Sequence, residues 1–316
     1  MNEQGRRVRL VRESAALVTL LASTWLMVGA SLHEAGIATV SAGRTGFAVL
    51  GLLTLTWWST LRASSSTGKH STHAVAPRYR WWQVALLALS GVTAYTVLST
   101  VAINLAGPAL PTLVMSLTPA VVLVAEGMLA RARPPTRTIV GTALAVAGAV
   151  LYVIPQLAGA LGHDVALGAL FAVAAMLSMA FYGLYFARVN RTYQGAMAPQ
   201  IMPVFAVGAI PLAIWASVEF AAGATVSWTV IGMLALLGTV IYVPAYLLQH
   251  RILLIGGPSY SALLGLAVPP LVGVSSAMLH LAGVPPPMQI AGMALTLLGM
   301  FLVIRRKLEP AKETIS

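Results

Sequence analysis

Ten stretches of this chain are apolar for about twenty residues at a time, at roughly 14–32, 36–58, 81–103, 107–129, 137–156, 165–187, 198–218, 227–249, 257–281 and 286–304. The hydrocarbon core of a bilayer is about 30 Å thick and takes about 20 apolar residues of helix to cross. Inside it every backbone N–H and C=O must be satisfied internally, which leaves helices or closed barrels. The runs are continuous, whereas barrel strands alternate over about ten residues. The pattern therefore predicts an all-α integral membrane protein with ten transmembrane helices.

Composition agrees. Charged residues make up 9% of the chain, against roughly 25% in soluble domains. The net charge of +11 is spread through short loops instead of forming the patch that nucleic-acid binding needs, so no nucleic-acid partner is expected. The chain has no cysteine, which excludes disulfides and thiolate metal sites. Arg6, Arg7, Arg9 and Arg12 precede the first apolar run as they would in a signal peptide. The run exceeds the usual 7–15-residue apolar region and no A-x-A site follows, so it reads as a retained helix.

Charge also predicts orientation. Eighteen of the 19 basic residues fall in the N-terminus, the tail, or the loops after the second, fourth, sixth and eighth segments. The opposite loops carry Glu34, Asp164 and Glu219. By the positive-inside rule both termini are cytoplasmic, in a cell (inner/plasma) membrane. Moving the helix count by one would scramble this pattern.

An internal repeat divides the chain. Gly107-Pro108 is followed by Pro119, and Gly257-Pro258 by Pro269 at the same interval. Gly141 and Gly148 are seven apart, as are Gly292 and Gly299. Pro134-Pro135 and Pro285-Pro286 occupy matching loops. Proline at a helix start costs no hydrogen bond, while mid-helix Pro119 and Pro269 free a carbonyl and kink the helix. Glycines on one face let another backbone approach. The repeat is five helices long, and five is odd, so the second copy enters the membrane from the other side. The expected domains are two inverted repeats, residues 1–156 and 157–316, a common plan of transporters that alternate access around a midplane site.

With Arg44-Thr45-Gly46-Phe47-Ala48 on the second segment and the two Pro–Gly sets, the chain resembles the ten-helix EamA-type members of the drug/metabolite transporter superfamily. The resemblance covers nearly the whole chain. It implies a secondary, non-ATP transporter that exports or exchanges a small metabolite such as an amino acid, nucleoside or amphiphilic compound, with no cofactor. An alternative on the same scaffold is a lipid-carrier flippase. Family members often carry an acid just after the fourth helix. Here the two copies read Leu129-Ala130-Arg131 and Leu281-Ala282-Gly283, so both acids are missing.

Arg44 is the sharpest candidate site residue. It lies about 12 Å into the second helix at 1.5 Å per residue, and an arginine there costs about 2.5–3.5 kcal/mol and faces the bundle interior. It is expected to contact an anionic or carboxylate group of the solute. The alternatives are a structural arginine on carbonyls, or one snorkelling to Glu34. Tyr95 and Tyr246 are the favoured substrate-binding tyrosines, ahead of Tyr242 and Tyr260. Glu126 and His280 are the proton-coupling candidates, with Arg131 as an alternative partner for Glu126. Asn104, Gln249 and His250 read as helix-end residues, and Trp57, Trp58, Trp81 and Trp82 as interfacial anchors. There is no Walker loop, dinucleotide fingerprint, H-E-x-x-H or G-x-S-x-G elbow, so no enzyme activity, catalytic residue, metal or cofactor is expected. The expected partners are a small solute and the lipid bilayer, with the chain a monomer or homodimer.

Overall fold

The computed structural model describes residues 3–32, 34–65, 79–106, 109–157, 164–193, 195–278 and 285–308. Among them there are helices and no strands. In chain order these are α1 (Glu3–Leu32), α2 (Ile37–Ser65), α3 (Trp81–Leu87), α4 (Tyr95–Ala106), α5 (Ala109–Met115), α6 (Thr118–Ala130) and α7 (Thr136–Leu157). Then follow α8 (Val165–Val189), α9 (Met197–Ala221), α10 (Trp228–Leu236), α11 (Val243–Gly256), α12 (Pro258–Gly265), α13 (Val268–Met278) and α14 (Pro287–Leu308). A π-helical stretch, Ala88–Ala94, joins α3 to α4, and a second, Leu237–Tyr242, joins α10 to α11. The two occupy matching places in the sequence repeat.

Eight helical spans of the described residues are long and apolar enough to cross a membrane. Of the ten apolar segments, the first and ninth are not among them, and the ninth contributes a shorter apolar helix, Pro258–Val272. Large apolar side chains stand outward along the spans, among them Leu50 and Leu53 on α2 and Ile210, Ile214 and Val218 on α9. Such a surface suits lipid, since soluble monomers keep exposed apolar patches small.

The repeat prolines act through a break. The fourth segment turns at Ser116–Leu117 and restarts at Thr118, and the ninth turns at Leu266–Ala267 and restarts at Val268. Pro119 and Pro269 therefore sit in first turns, where their missing N–H matters least. Pro119 cannot serve the Met115 carbonyl four residues back. The Thr118 hydroxyl donates to it instead, at 2.6 Å. Ahead of Pro258, Gly257 adopts φ 84°, a left-handed conformation that glycine supplies freely. Its repeat partner, Gly107-Pro108, lies outside the described residues.

The chain forms two compact units, each drawing on both sequence halves. The first contains residues 1–19, 102–176 and 252–316. Its main contact is α7 against α14. Gly141 lies opposite Gly299 and Gly148 opposite Gly292, so the helices run antiparallel. A Cβ at Gly148 would meet the Gly292 carbonyl at 2.7 Å, and one at Gly292 would meet the Gly148 carbonyl at 2.7 Å. The Tyr152 hydroxyl donates to the Pro269 carbonyl at 3.0 Å.

The second unit contains residues 20–101 and 177–251. There α2 packs along α9, the first π stretch lies on α9, and the second lies on α2. Small residues allow this. A Cβ at Gly208 of α9 would meet Val92 at 2.5 Å, and one at Gly238 would meet the Arg44 carbonyl at 2.8 Å. Thr93 also donates its hydroxyl to the Gly208 carbonyl at 2.9 Å.

Candidate functional site

Within the second unit the polar groups gather around Arg44. Its Nη1 donates to the Tyr242 hydroxyl at 2.9 Å, and its Cζ lies 5.7 Å from the centroid of that ring. Among the described residues Arg44 is bonded to neither Glu34 nor a backbone carbonyl. Glu34 instead accepts from the Ser227 hydroxyl at 3.3 Å. Glu219 of α9 accepts the Thr39 N–H at 2.7 Å and the Thr39 hydroxyl at 2.5 Å. A carboxylate there satisfies a free donor of the first turn of α2 and sits favourably at the positive end of its dipole.

Tyr242 ends the second π stretch, and Tyr246 and His250 follow at four-residue intervals, which places the three on one helix face. The Tyr242 and Tyr246 rings stack with centroids 5.0 Å apart and an interplanar angle of 23°. Phe205 of α9 packs on Tyr246 at 4.3 Å. Tyr95, the first residue of α4, lies within electrostatic reach of both Arg44 and Tyr242. The fold thus brings the expected Arg44, Tyr95 and Tyr246 into one cluster. It adds Tyr242 and Phe205, which the sequence ranked lower or not at all.

His250 corrects an expectation. The eighth segment does not end at Gln249, because α11 continues to Gly256 and carries His250 in its interior, 2% exposed. His250 Nδ1 is 2.7 Å from the Tyr246 carbonyl. A carbonyl only accepts, so Nδ1 carries the proton, and in the neutral ring Nε2 is left as an acceptor. The Tyr182 hydroxyl donates to that nitrogen. Phe186 and Phe205 meet the imidazole edge-on at 4.6 and 6.0 Å. The absence of a side chain at Gly91 gives the Tyr182 ring its room, since a Cβ there would lie 2.2 Å from it.

A second polar knot closes the end of α8. Asn190 Oδ1 accepts from the Tyr79 hydroxyl at 2.9 Å and from Gln200 Nε2. Asn190 Nδ2 donates to the Phe186 carbonyl at 2.9 Å. Burial pushes the Tyr79 phenol up to about 12, partly offset by its hydrogen bonds to Asn190 and Gln200. Trp57, Trp58, Trp81 and Trp82 are all exposed, and the Arg80 guanidinium lies 5.8 Å from the Trp82 ring.

Glu126 belongs to the first unit. Its Oε2 accepts from the Ser259 hydroxyl, and among the described residues it makes no ion pair with Arg131. Next to Ser259, Tyr260 shares a hydrogen bond with Ser14 at 3.0 Å. Beside Ser14, Glu13 is 8% exposed and accepts from Arg9 Nε at 2.9 Å. Glu13 was not anticipated, because the apolar run begins one residue later. Its signal was the Arg9–Glu13 spacing of four residues, which pairs charges on a helix face. His280 lies outside the described residues. No group of three or more His, Asp or Glu able to hold a metal occurs among the described residues.

The model of the EamA-like transporter family matches residues 14–154, so the resemblance read from the sequence holds over that stretch. No curated protein matches the chain. A crystal structure of a protein is similar at 18% identity over 94% of this chain and 97% of that one, with a TM-score of 0.71. At that identity the likeness is one of fold. The chain is a multi-pass helical membrane protein, and the family match covers residues 14–154 of it.

Proposed function

We propose, from the match of residues 14–154 to the EamA-like transporter family, that this chain is a secondary transporter that exports or exchanges a small metabolite by alternating access. Its two halves, residues 1–156 and 157–316, act as inverted five-helix repeats in an inner membrane with both termini cytoplasmic. The breaks before Pro119 and Pro269, the paired π stretches and the antiparallel contact of Gly148 with Gly292 all support that reading. No ATP-binding loop is present in the sequence, so the driving force is a solute or ion gradient.

The observation that carries the proposal is Arg44. A guanidinium sits in a membrane span beside Tyr242, Tyr246 and Tyr95, hydrogen-bonded to one neutral hydroxyl. Intramembrane ionisable groups mark substrate pathways. Arg44 holds an anionic group of the solute, while Tyr95 and Tyr246 form the wall against its body. Glu126 and His280 are the groups available to carry a proton if transport is proton-coupled.

Counterflow with purified protein in liposomes tests this. Amino acids, nucleosides and organic acids are presented with and without a proton gradient. Exchange of at least one class is expected, and exchange of none sinks the transporter reading. Exchange that ignores the gradient excludes obligatory proton coupling.

A further inference from the structure

We propose that the solute held at Arg44 is a singly charged organic carboxylate with a flat apolar body and no ammonium group. This rests on the transporter reading and adds the charge class of the cargo.

The first observation is the missing counter-charge. Residues 20–101 and 177–251 contain two acids, Glu34 and Glu219. Glu34 accepts from Ser227, and Glu219 accepts from the Thr39 N–H and hydroxyl. Among the described residues the one side chain hydrogen-bonded to Arg44 is Tyr242, through one of five guanidinium N–H donors. Arg44 is half-buried, no nitrogen of it is both buried and unpartnered among the described residues, and a guanidinium presents a fork that fits an incoming carboxylate. One arginine balances one negative charge, so a doubly charged phosphate ester would bring in a charge of its own without a partner.

The second observation excludes the zwitterion. An aromatic face attracts cations, and an ammonium would look for one here. Arg44 already occupies that place, 5.7 Å from the Tyr242 centroid. An ammonium on the neighbouring rings would lie close to a like charge in a poorly screening environment, with both acids of the unit engaged elsewhere. An amino acid therefore loses at its ammonium what it gains at its carboxylate.

The third observation is shape. Tyr242 and Tyr246 stack within 23° of parallel, and Phe205 extends the surface at 4.3 Å from Tyr246. Tyr242 and Phe205 are buried in this packing, which leaves the half-buried Tyr246 and Tyr95 as the rings that can meet a planar apolar group of the solute.

The test keeps one ring and varies the charge. 3-Phenylpropanoate, phenylalanine, phenethylamine and 3-phenylpropanamide are titrated into the purified full-length chain by calorimetry. Each is then offered in counterflow with the chain in liposomes. We expect 3-phenylpropanoate to bind more than about tenfold tighter than each of the other three, about 1.4 kcal/mol. Arg44→Gln should erase the difference, and Arg44→Lys should keep part of it. Binding of phenylalanine or the amide within tenfold of the acid overturns the proposal, as does failure of the acid to bind. These ligand comparisons use the wild-type chain, so a misfolded variant leaves them intact. Preferential binding of the acid without its counterflow upholds the charge class and overturns the transporter reading. Counterflow of phenylalanine and not of the acid does the reverse.

Discussion

The Arg44 guanidinium and the Tyr242 hydroxyl, 198 residues apart in the chain, meet at 2.9 Å. Hydrogen bonds to charged groups contribute about 1.5–3 kcal/mol. Tyr242→Phe should lower thermal stability, and a double-mutant cycle with Arg44→Gln should give a coupling of about 1 kcal/mol or more, since contacting residues couple by 0.5–3 kcal/mol. Thermal unfolding of the four proteins in detergent measures it. Additive effects would mean the pair makes no energetic contact.

The α7–α14 contact depends on absent side chains. Gly148→Leu should destabilise the chain by about 1–3 kcal/mol through overpacking, because a Cβ there already falls 2.4 Å from Thr296 N. Gly46→Ala should be mild by comparison, since nothing lies within 4 Å of the position. Equal melting temperatures for the two variants would contradict the packing.

At the break before Pro119, Thr118→Val removes the donor to the Met115 carbonyl. That carbonyl has no proline N–H to fall back on. The bond is part-buried, so the loss should be at the low end of the about 1–3 kcal/mol that a fully buried unsatisfied acceptor costs. Thr118→Ser, which keeps the hydroxyl, should restore most of the loss in a melting experiment. A valine variant as stable as wild type would show that the carbonyl finds another partner.

Tyr182 and His250 form a pair in which half is worse than none. Tyr182→Phe leaves Nε2 buried without a donor, and His250→Phe strands the hydroxyl. Each should cost about 1–3 kcal/mol. The double phenylalanine variant should be more stable than either single one, because no polar atom is stranded. Unfolding midpoints that fall additively would argue against the hydrogen bond.

Tyr79 gives a pH dependence. Its phenol is raised from 10.0 to about 12, so the folded chain holds that proton more tightly than the unfolded chain. The stabilisation is complete below pH 10 and is lost as pH rises from about 10 through 12. Wild type should therefore lose stability over that window relative to Tyr79→Phe, while the two run parallel at neutral pH. A stability difference that stays constant up to pH 12 would show that Tyr79 is solvated.

Much of the architecture was legible because its causes are local. An apolar run in lipid must be helical, whatever lies next to it. Proline and glycine act on their own turn of chain, so the repeat spacing marked Pro119 and Pro269 as interruptions, expected as mid-helix kinks and found as first turns after a break. Arg44 stood out as a single charge in an apolar run. Other features were hidden for physical reasons. The eighth segment appeared to stop at Gln249, but helical hydrogen bonds do not depend on side-chain polarity, and the helix runs on to Gly256, ahead of Gly257 with its positive φ.

The sequence by itself determined the membrane class, the helical character of the segments and the offset of the repeat, all of which follow from hydropathy, charge and backbone restriction along the chain. Tertiary structure alone decided which groups meet. It selected Tyr242 over Tyr246 as the partner of Arg44, turned Glu34 and Glu219 away from that arginine, buried His250 beneath Tyr182, and set Gly148 on Gly292. Each choice joins residues on different helices, and helix rotation and axial offset are fixed by packing across the whole unit, which no local periodicity encodes.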